Sequence, residues 1–263
     1  MSRVSLPGDR SLVGMVHLPP LPGAPRFDGD RTALLERAVA DAQALDAGGV
    51  DAVLVENFGD APFYPDRVPR HVVATMTRLV GEVARTVDCP VGVNVLRNDA
   101  ESAVSVAAAT DAAFVRVNVH VGARVTDQGV IEGRAHETLR LRDRLDADVA
   151  VFADVAVKHS TPLGAGESSV ADLLDRGLAD AVVVSGAATG SGVDRDQLAT
   201  VAATAAERDV PTFAGSGVTP DTVGDLLDVA DGAIVGTALK EGGETTNPVD
   251  SERVRRLVDA ARA

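Results

Sequence analysis

AAFVRVNVH, residues 112–120, alternates strictly. Ala113, Val115, Val117 and Val119 fall on one side of an extended chain, and Phe114, Arg116, Asn118 and His120 on the other. Successive side chains of a strand point to opposite faces. The aliphatic side must pack on apolar partners, which in an α/β protein are helices. The side carrying an arginine, an asparagine and a histidine then faces away from them, toward the centre of the fold. The same test puts Asn94 inside, between Val93 and Val95, and Glu56 inside, next to Val55. It puts Asp154 and Lys158 inside, among Val151, Ala153, Val155 and Val157. His17 ends the first strand with ambiguous parity.

Outward from this segment, apolar runs alternate with helical patterns. Strands are expected at 12–18, 52–57, 91–96, 113–120, 149–159, 181–186, 212–217 and 233–236. Helices are expected near 31–47, 70–87, 99–109, 134–146, 167–176, 194–208, 220–229 and 250–262. Asp30 is placed to cap the first helix and Gly48-Gly49 to end it. Asn98 and Glu101 have capping-box spacing, and Thr219-Pro220 reads as an N-cap with proline at the first helical position. Even-numbered strands follow an Asp and a small residue: Asp51-Ala52, Asp111-Ala112, Asp180-Ala181 and Asp231-Gly232. That is shared turn chemistry or a trace of duplication. Eightfold β–α alternation predicts an α/β protein: a single (βα)8 barrel of the TIM type, one domain over residues 1–263. No GxGxxG follows the first strand, which argues against an open doubly wound sheet.

A barrel interior holding Glu56, Asn94, Arg116, Asn118, His120, Asp154 and Lys158 is not built for stability alone, because unpaired buried charges cost several kcal/mol each. Barrel active sites sit at the C-terminal strand ends. Lys158 stands out because the chain has 25 Lys and Arg residues and only one other lysine, Lys240. It is placed to form a Schiff base, to hold a phosphate or enolate oxygen, or to pair with Asp154. The structural alternative is an ion-pair network, Glu56 with Arg116 and Asp154 with Lys158. The catalytic candidates are therefore Glu56, Asp154, Lys158, His120 and His17. Asn94, Arg116, Asn118 and His159 are candidates for binding substrate. Asp127 and Gln128 join them from RVTDQGVIEG (124–133), a long loop read as a lid.

GSGVTPD (215–221) and VGTALK (235–240) follow the seventh and eighth strands. Barrels often bind phosphate there through backbone N–H groups. Gly215, Ser216, Gly217, Gly236 and Thr237 are the phosphate-binding candidates, with Lys240 either adding charge or merely following the turn.

The net charge of −14, with no basic cluster, argues against nucleic-acid binding. Acid-rich, lysine-poor surfaces suit high salt. No run of 18 apolar residues exists, so no membrane insertion is expected. MSRVSLPGDR (1–10) has no apolar core of a secretory signal, and Cys89 is the single cysteine. A cytoplasmic location is expected. No cofactor is certain. A divalent metal is open, with His17, Glu56, His120, Asp154, His159 and Asp127 as oxygen and imidazole donors and no tight ligand spacing.

The chain resembles the BtpA/SgcQ family over nearly its whole length. The resemblance rests on GMVHLPPLPGAP (14–25), VENFGDAPF (55–63), VNVLRNDA (93–100), RVNVHVGARVTDQGVIEG (116–133), ADVAVKHSTPL (153–163), SGAATG (185–190), GSGVTPDTV (215–223) and VGTALKEGG (235–243). It implies a TIM-type barrel and names a role in photosystem I biogenesis. Some members carry the label phosphoribosylanthranilate isomerase, an enzyme with a cysteine acid on its first strand and an aspartate base on its sixth. Here those strands offer His17 and Ser185, which speaks against that activity. The expected function is an enzyme acting on a small phosphorylated metabolite by isomerase or lyase chemistry. The alternative is a non-catalytic assembly factor for a membrane complex. The expected partner is a small phosphorylated ligand. A homo-oligomer is compatible with the sequence, since such barrels often pair.

Overall fold

A computed structural model describes residues 10–155, 160–163, 170–186 and 192–263. Lys158 and His159 lie outside the described residues. The strands are β1 (Ser11–His17), β2 (Ala52–Glu56), β3 (Val91–Asn94), β4 (Phe114–Val117), β5 (Ala123–Thr126), β6 (Gly129–Glu132), β7 (Ala150–Asp154), β8 (Thr161–Pro162), β9 (Ala181–Val184), β10 (Thr212–Ala214) and β11 (Gly232–Val235). The helices are α1 (Arg31–Ala47), α2 (Arg70–Ala84), α3 (Ala100–Thr110), α4 (Ala135–Arg144), α5 (Val170–Asp175), α6 (Arg195–Ala206), α7 (Val223–Leu227) and α8 (Ser251–Arg262). Eight strands close a parallel barrel in the order β1-β11-β10-β9-β7-β4-β3-β2. The expected (βα)8 barrel is the observed fold. No described helix is long and apolar enough to cross a membrane.

Barrel strands are covered on both faces, so both faces must be apolar at the base. Outward-facing Val53, Val55, Val93, Val115, Val151 and Val182 pack with helix residues such as Leu34, Leu79, Val104 and Leu257. A separate inner cluster holds Met15, Leu54, Phe114, Phe152, Phe213 and Ile234. Its three rings meet across the barrel, Phe114 and Phe152 stacked with centroids 4.6 Å apart and Phe213 tilted against Phe152 at 4.9 Å. Gly92 and Gly232 leave room for them: a Cβ there would lie 2.2 Å from the Phe114 ring and 2.4 Å from that of Phe213. Two residues further along each strand, the inward side chains change character. Met15 gives way to His17, Leu54 to Glu56, Phe114 to Arg116 and Phe152 to Asp154.

The repeated Asp before even-numbered barrel strands has a physical role. Asp51 accepts a hydrogen bond from the Leu12 N–H at 2.8 Å, Asp180 from Val151 at 2.9 Å and Asp231 from Thr212 at 2.8 Å. Each carboxylate thereby pins the start of its own strand to the start of the neighbouring one. Asp111 differs: it caps α3 with a left-handed φ of 54°. Asp180 also binds Arg142 at 2.6 Å and is nearly buried. Asp180→Ala is therefore expected to remove about 1.5–3 kcal/mol, read as a lower guanidinium midpoint. An unchanged midpoint would reduce the repeat to turn composition.

Several expected boundaries shift. Asp30 does cap α1, accepting from the Thr32 and Ala33 N–H groups. The cap of α3 is Asp99, not Asn98, and accepts from Ser102 N–H at 2.9 Å. Asn98 instead clamps both backbone polar groups of Val119. The seventh helix begins at Val223, with Thr222 rather than Thr219 before it. Residues 124–133 are not an irregular loop. They belong to a hairpin of β5 and β6, which β8 extends to a three-stranded antiparallel sheet.

Candidate functional site

At their C-terminal ends the barrel strands open into a cavity of about 910 Å³. Met15 and Ile234 line it from the aromatic layer below. His17, Glu56, Arg116, Asn118 and Asp154 line it one layer higher. Strand register explains the convergence. His17 stands beside Glu56 on paired β1 and β2, and Arg116 and Asp154 come from paired β4 and β7.

The centre is a bidentate ion pair. Arg116 Nε donates to Asp154 Oδ1 at 3.0 Å and Nη2 donates to Oδ2 at 3.2 Å. Asn118 Nδ2 donates to the same Oδ2 at 2.8 Å, and Arg116 Nη2 also reaches Ser185 Oγ at 3.3 Å. Burial alone would lower the pKa of Arg116, but the charges of Asp154 and Glu56 more than offset it and raise the value. The expected Arg116–Glu56 pair is thus replaced by Arg116–Asp154, because the two strands carrying them are neighbours. Glu56 acts on Arg116 through charge, and its Oε1 lies 3.9 Å from His17 Nε2. The His17 ring leans on Phe58, centroids 4.7 Å apart.

The glycine turns line the same cavity, through Gly215, Ser216, Gly217, Gly236 and Thr237. Two of these glycines also have a packing reason. A Cβ on Gly236 would lie 2.7 Å from His17 Cε1, and one on Gly215 would lie 2.6 Å from Ser185 Oγ. Ser216 Oγ accepts from Gly186 N–H at 2.6 Å, joining the exits of β9 and β10.

Four expected site residues do not reach the cavity. His120 is buried with Nε2 2.8 Å from the Gly177 carbonyl, and burial lowers its pKa. The reason is that β4 ends at Val117. The Asn98 clamp on Val119 then draws the chain off the barrel axis, so face alternation no longer holds at residue 120. Asn94 faces inward but supports the barrel, donating to the Arg116 carbonyl at 2.8 Å. Asp127 and Gln128 form the tip of the β5–β6 hairpin. There Asp127 meets Arg97 at 3.4 Å and touches the cavity only through it. Lys240 adds no charge to the phosphate turn. It is fully buried, its Nζ 3.4 Å from Asp41. Among the described residues no group of three or more His, Cys, Asp or Glu side chains is placed to hold a metal.

The sequence reading missed the arginines. Arg26, Arg97, Arg253 and Arg256 line the cavity together with Arg116, against the two carboxylates Glu56 and Asp154. A chain of net charge −14 thus surrounds its cavity with positive charge. Arg253 and Arg256 lie one turn apart on α8, a spacing that marks a shared helix face. Nothing in the sequence says which way that face looks. Also missed was the rim support: buried Asp60 accepts from Leu21 N–H at 2.7 Å and from Asn57 at 3.1 Å. Burial raises its pKa against those hydrogen bonds.

A parallel eight-stranded barrel with a charged cavity at its C-terminal end is a TIM-type barrel protein. Sequence comparison gives the family. The BtpA family model matches residues 8–263, and the chain belongs to that family. It is 48% identical over 251 residues to the photosystem I biogenesis protein BtpA of Synechocystis, covering 95% of this chain and 87% of that one. It is also 48% identical to an uncharacterised protein of Thermococcus kodakarensis, covering 96% and 95%. Among solved structures it is similar to a 2-keto-3-deoxy-6-phospho-gluconate aldolase from Zymomonas mobilis, with TM-score 0.57, 13% identity and 100% and 97% of the two chains covered. It is similar as well to the N-(5'-phosphoribosyl)anthranilate isomerase of Pyrococcus furiosus, with TM-score 0.55, 14% identity and coverage of 96% and 98%. At such identities the likeness establishes the fold alone.

Proposed function

We propose that this BtpA-family barrel is an enzyme acting on a small phosphorylated metabolite, a sugar phosphate or nucleotide-derived sugar, by isomerase or lyase (aldolase-type) chemistry. The observation that carries the reading is the arginine-rich cavity with Glu56 and His17 at its base. An acidic protein gains nothing in solubility from concentrating arginine in a cleft, whereas a phosphoryl group is held well by charge-assisted hydrogen bonds. The similar barrels named for phospho-gluconate and phosphoribosyl substrates support the same class.

In this reading the residues divide by geometry. Asp154 has both oxygens engaged by Arg116 and Asn118, so it orients the guanidinium rather than moving protons. Glu56 and His17 are the proton-transfer pair, 3.9 Å apart, so that one substrate oxygen or water to their side reaches both. Arg116 stabilises negative charge developing on the substrate. The turns at 215–217 and 236–237 take the phosphoryl group with their backbone N–H groups. Lys158, outside the described residues, keeps both its Schiff-base and its electrostatic reading.

The test is a thermal-shift screen of sugar phosphates in high salt, with and without divalent metals. A ligand at about 100 times its Kd adds about 2.7 kcal/mol of stability. A phosphorylated hit, weakened by Glu56→Gln, is the expected result. A well-folded sample with no phosphorylated hit would overturn the reading. A second reading, assembly factor for a membrane complex, is favoured by the name of the Synechocystis relative. It predicts that Glu56→Gln leaves function intact. Phosphoribosylanthranilate isomerase activity is not favoured, because neither strand position carries its acid or base.

A further inference from the structure

The cavity arginines are not spread evenly. Arg253 and Arg256 come from α8, which follows β11, and Arg26 comes from the segment after β1, the strand hydrogen-bonded to β11. All three therefore belong to one side of the mouth, beside the glycine turns after β10 and β11. Arg26 and Arg256 make no hydrogen bond or ion pair among the described residues. Arg97 follows β3, which is two strands round the closed ring from β1 and three from β11, with β2 and its Glu56 between. It lines the cavity from beyond β2, its guanidinium 5.7 Å from the centre of the Phe63 ring and 3.4 Å from Asp127, its side chain only 11% exposed. Between β3 and β11 round the ring lie Glu56 on β2 and His17 on β1.

We infer that the ligand carries an anionic group at each end: a phosphoryl group held by Arg26, Arg253 and Arg256, and a second acid group, phosphoryl or carboxylate, held by Arg97. This deepens the proposed function and rests on it. A cavity of about 910 Å³ has room for such an extended ligand, since small-molecule sites span roughly 300–1,000 Å³. Anchoring both ends fixes the middle of the ligand over Glu56 and His17, which is where positioning accelerates proton transfer.

The test is calorimetric titration with fructose 6-phosphate and fructose 1,6-bisphosphate, probes that differ in the second phosphoryl group. The bisphosphate is expected to bind at least about tenfold more tightly, a difference of about 1.4 kcal/mol. Arg97→Ala should abolish that advantage while leaving the monophosphate within about twofold, whereas Arg256→Ala should weaken both by about tenfold. Equal affinities in the wild-type protein, or an Arg97→Ala variant that weakens both alike, would overturn the two-ended ligand and leave the proposed function standing. Failure of both probes and of inorganic phosphate to bind would overturn the two together.

Discussion

Arg116→Met is expected to lower the stability of the barrel by about 3–5 kcal/mol. The substitution keeps the length of the side chain and removes its charge, leaving Asp154 buried with Asn118 as its remaining described side-chain partner. Asp154 is 6% exposed, so cavity water replaces the guanidinium only in part. Desolvating a carboxylate without a counter-charge is the dominant effect, larger than the loss of two hydrogen bonds. The measurement is a guanidinium melt of the two proteins. The double variant Arg116→Met, Asp154→Leu removes both charges and should recover most of the loss, because a well-packed apolar pair replaces an ion pair at little cost. A single variant as stable as the wild type would mean that the pair is not desolvated, and the account of Asp154 as an orienting group would fall with it.

The second large effect is at the opposite side of the barrel wall, at Asp41. This carboxylate on α1 is 2% exposed. It accepts from the Val249 N–H at 2.8 Å, pairs with Arg37 Nε at 3.0 Å and meets Lys240 Nζ at 3.4 Å. It thereby ties the first helix to the chain after the last strand. Asp41→Ala is expected to destabilise by about 3–5 kcal/mol, again in a denaturant melt, since it strips a buried lysine of its counter-charge. The same site sets a pH dependence. Burial lowers the Lys240 pKa from an ordinary 10.5 to about 8, with Asp41 opposing it. Between about pH 8 and 10.5 the unfolded chain holds more protons than the folded one, so this group makes stability rise with pH. The rise amounts to about 3 kcal/mol over that window. Cys89, pushed up to about 12 by burial, gives the opposite slope above pH 9. Comparing wild type with Lys240→Met isolates the lysine: the variant should lose the rise, and an identical slope in both would contradict the burial of Lys240.

The barrel was legible because its strands obey a rule of period two and its helices follow without exception. Arg116, Asn118, Glu56 and Asp154 were found by alternation alone, and all four line the cavity. His120 shows where that rule stops. Alternation is a property of extended chain, and the Asn98 clamp on Val119 is a contact across 21 residues that no local pattern reveals. Asn94 illustrates a second limit, since pointing inward does not decide between lining a cavity and bracing its wall. The arginines of α8 and the rim were invisible for another reason. Charged residues on a helix face or in a loop read as solvent-facing, and only the closed ring shows that these look into the mouth. Lys240, which the sequence leaves as either a charge on the phosphate turn or a residue that follows it, belongs to a buried tie between helix and loop.

The three packed phenylalanines have a consequence for traffic. They fill the lower half of the barrel with carbon, so among the described residues the cavity opens at the strand ends. In the proposed reaction the product leaves past the same arginines that line the way in. A product that retained both of the acid groups proposed for the ligand would then compete directly with fresh substrate.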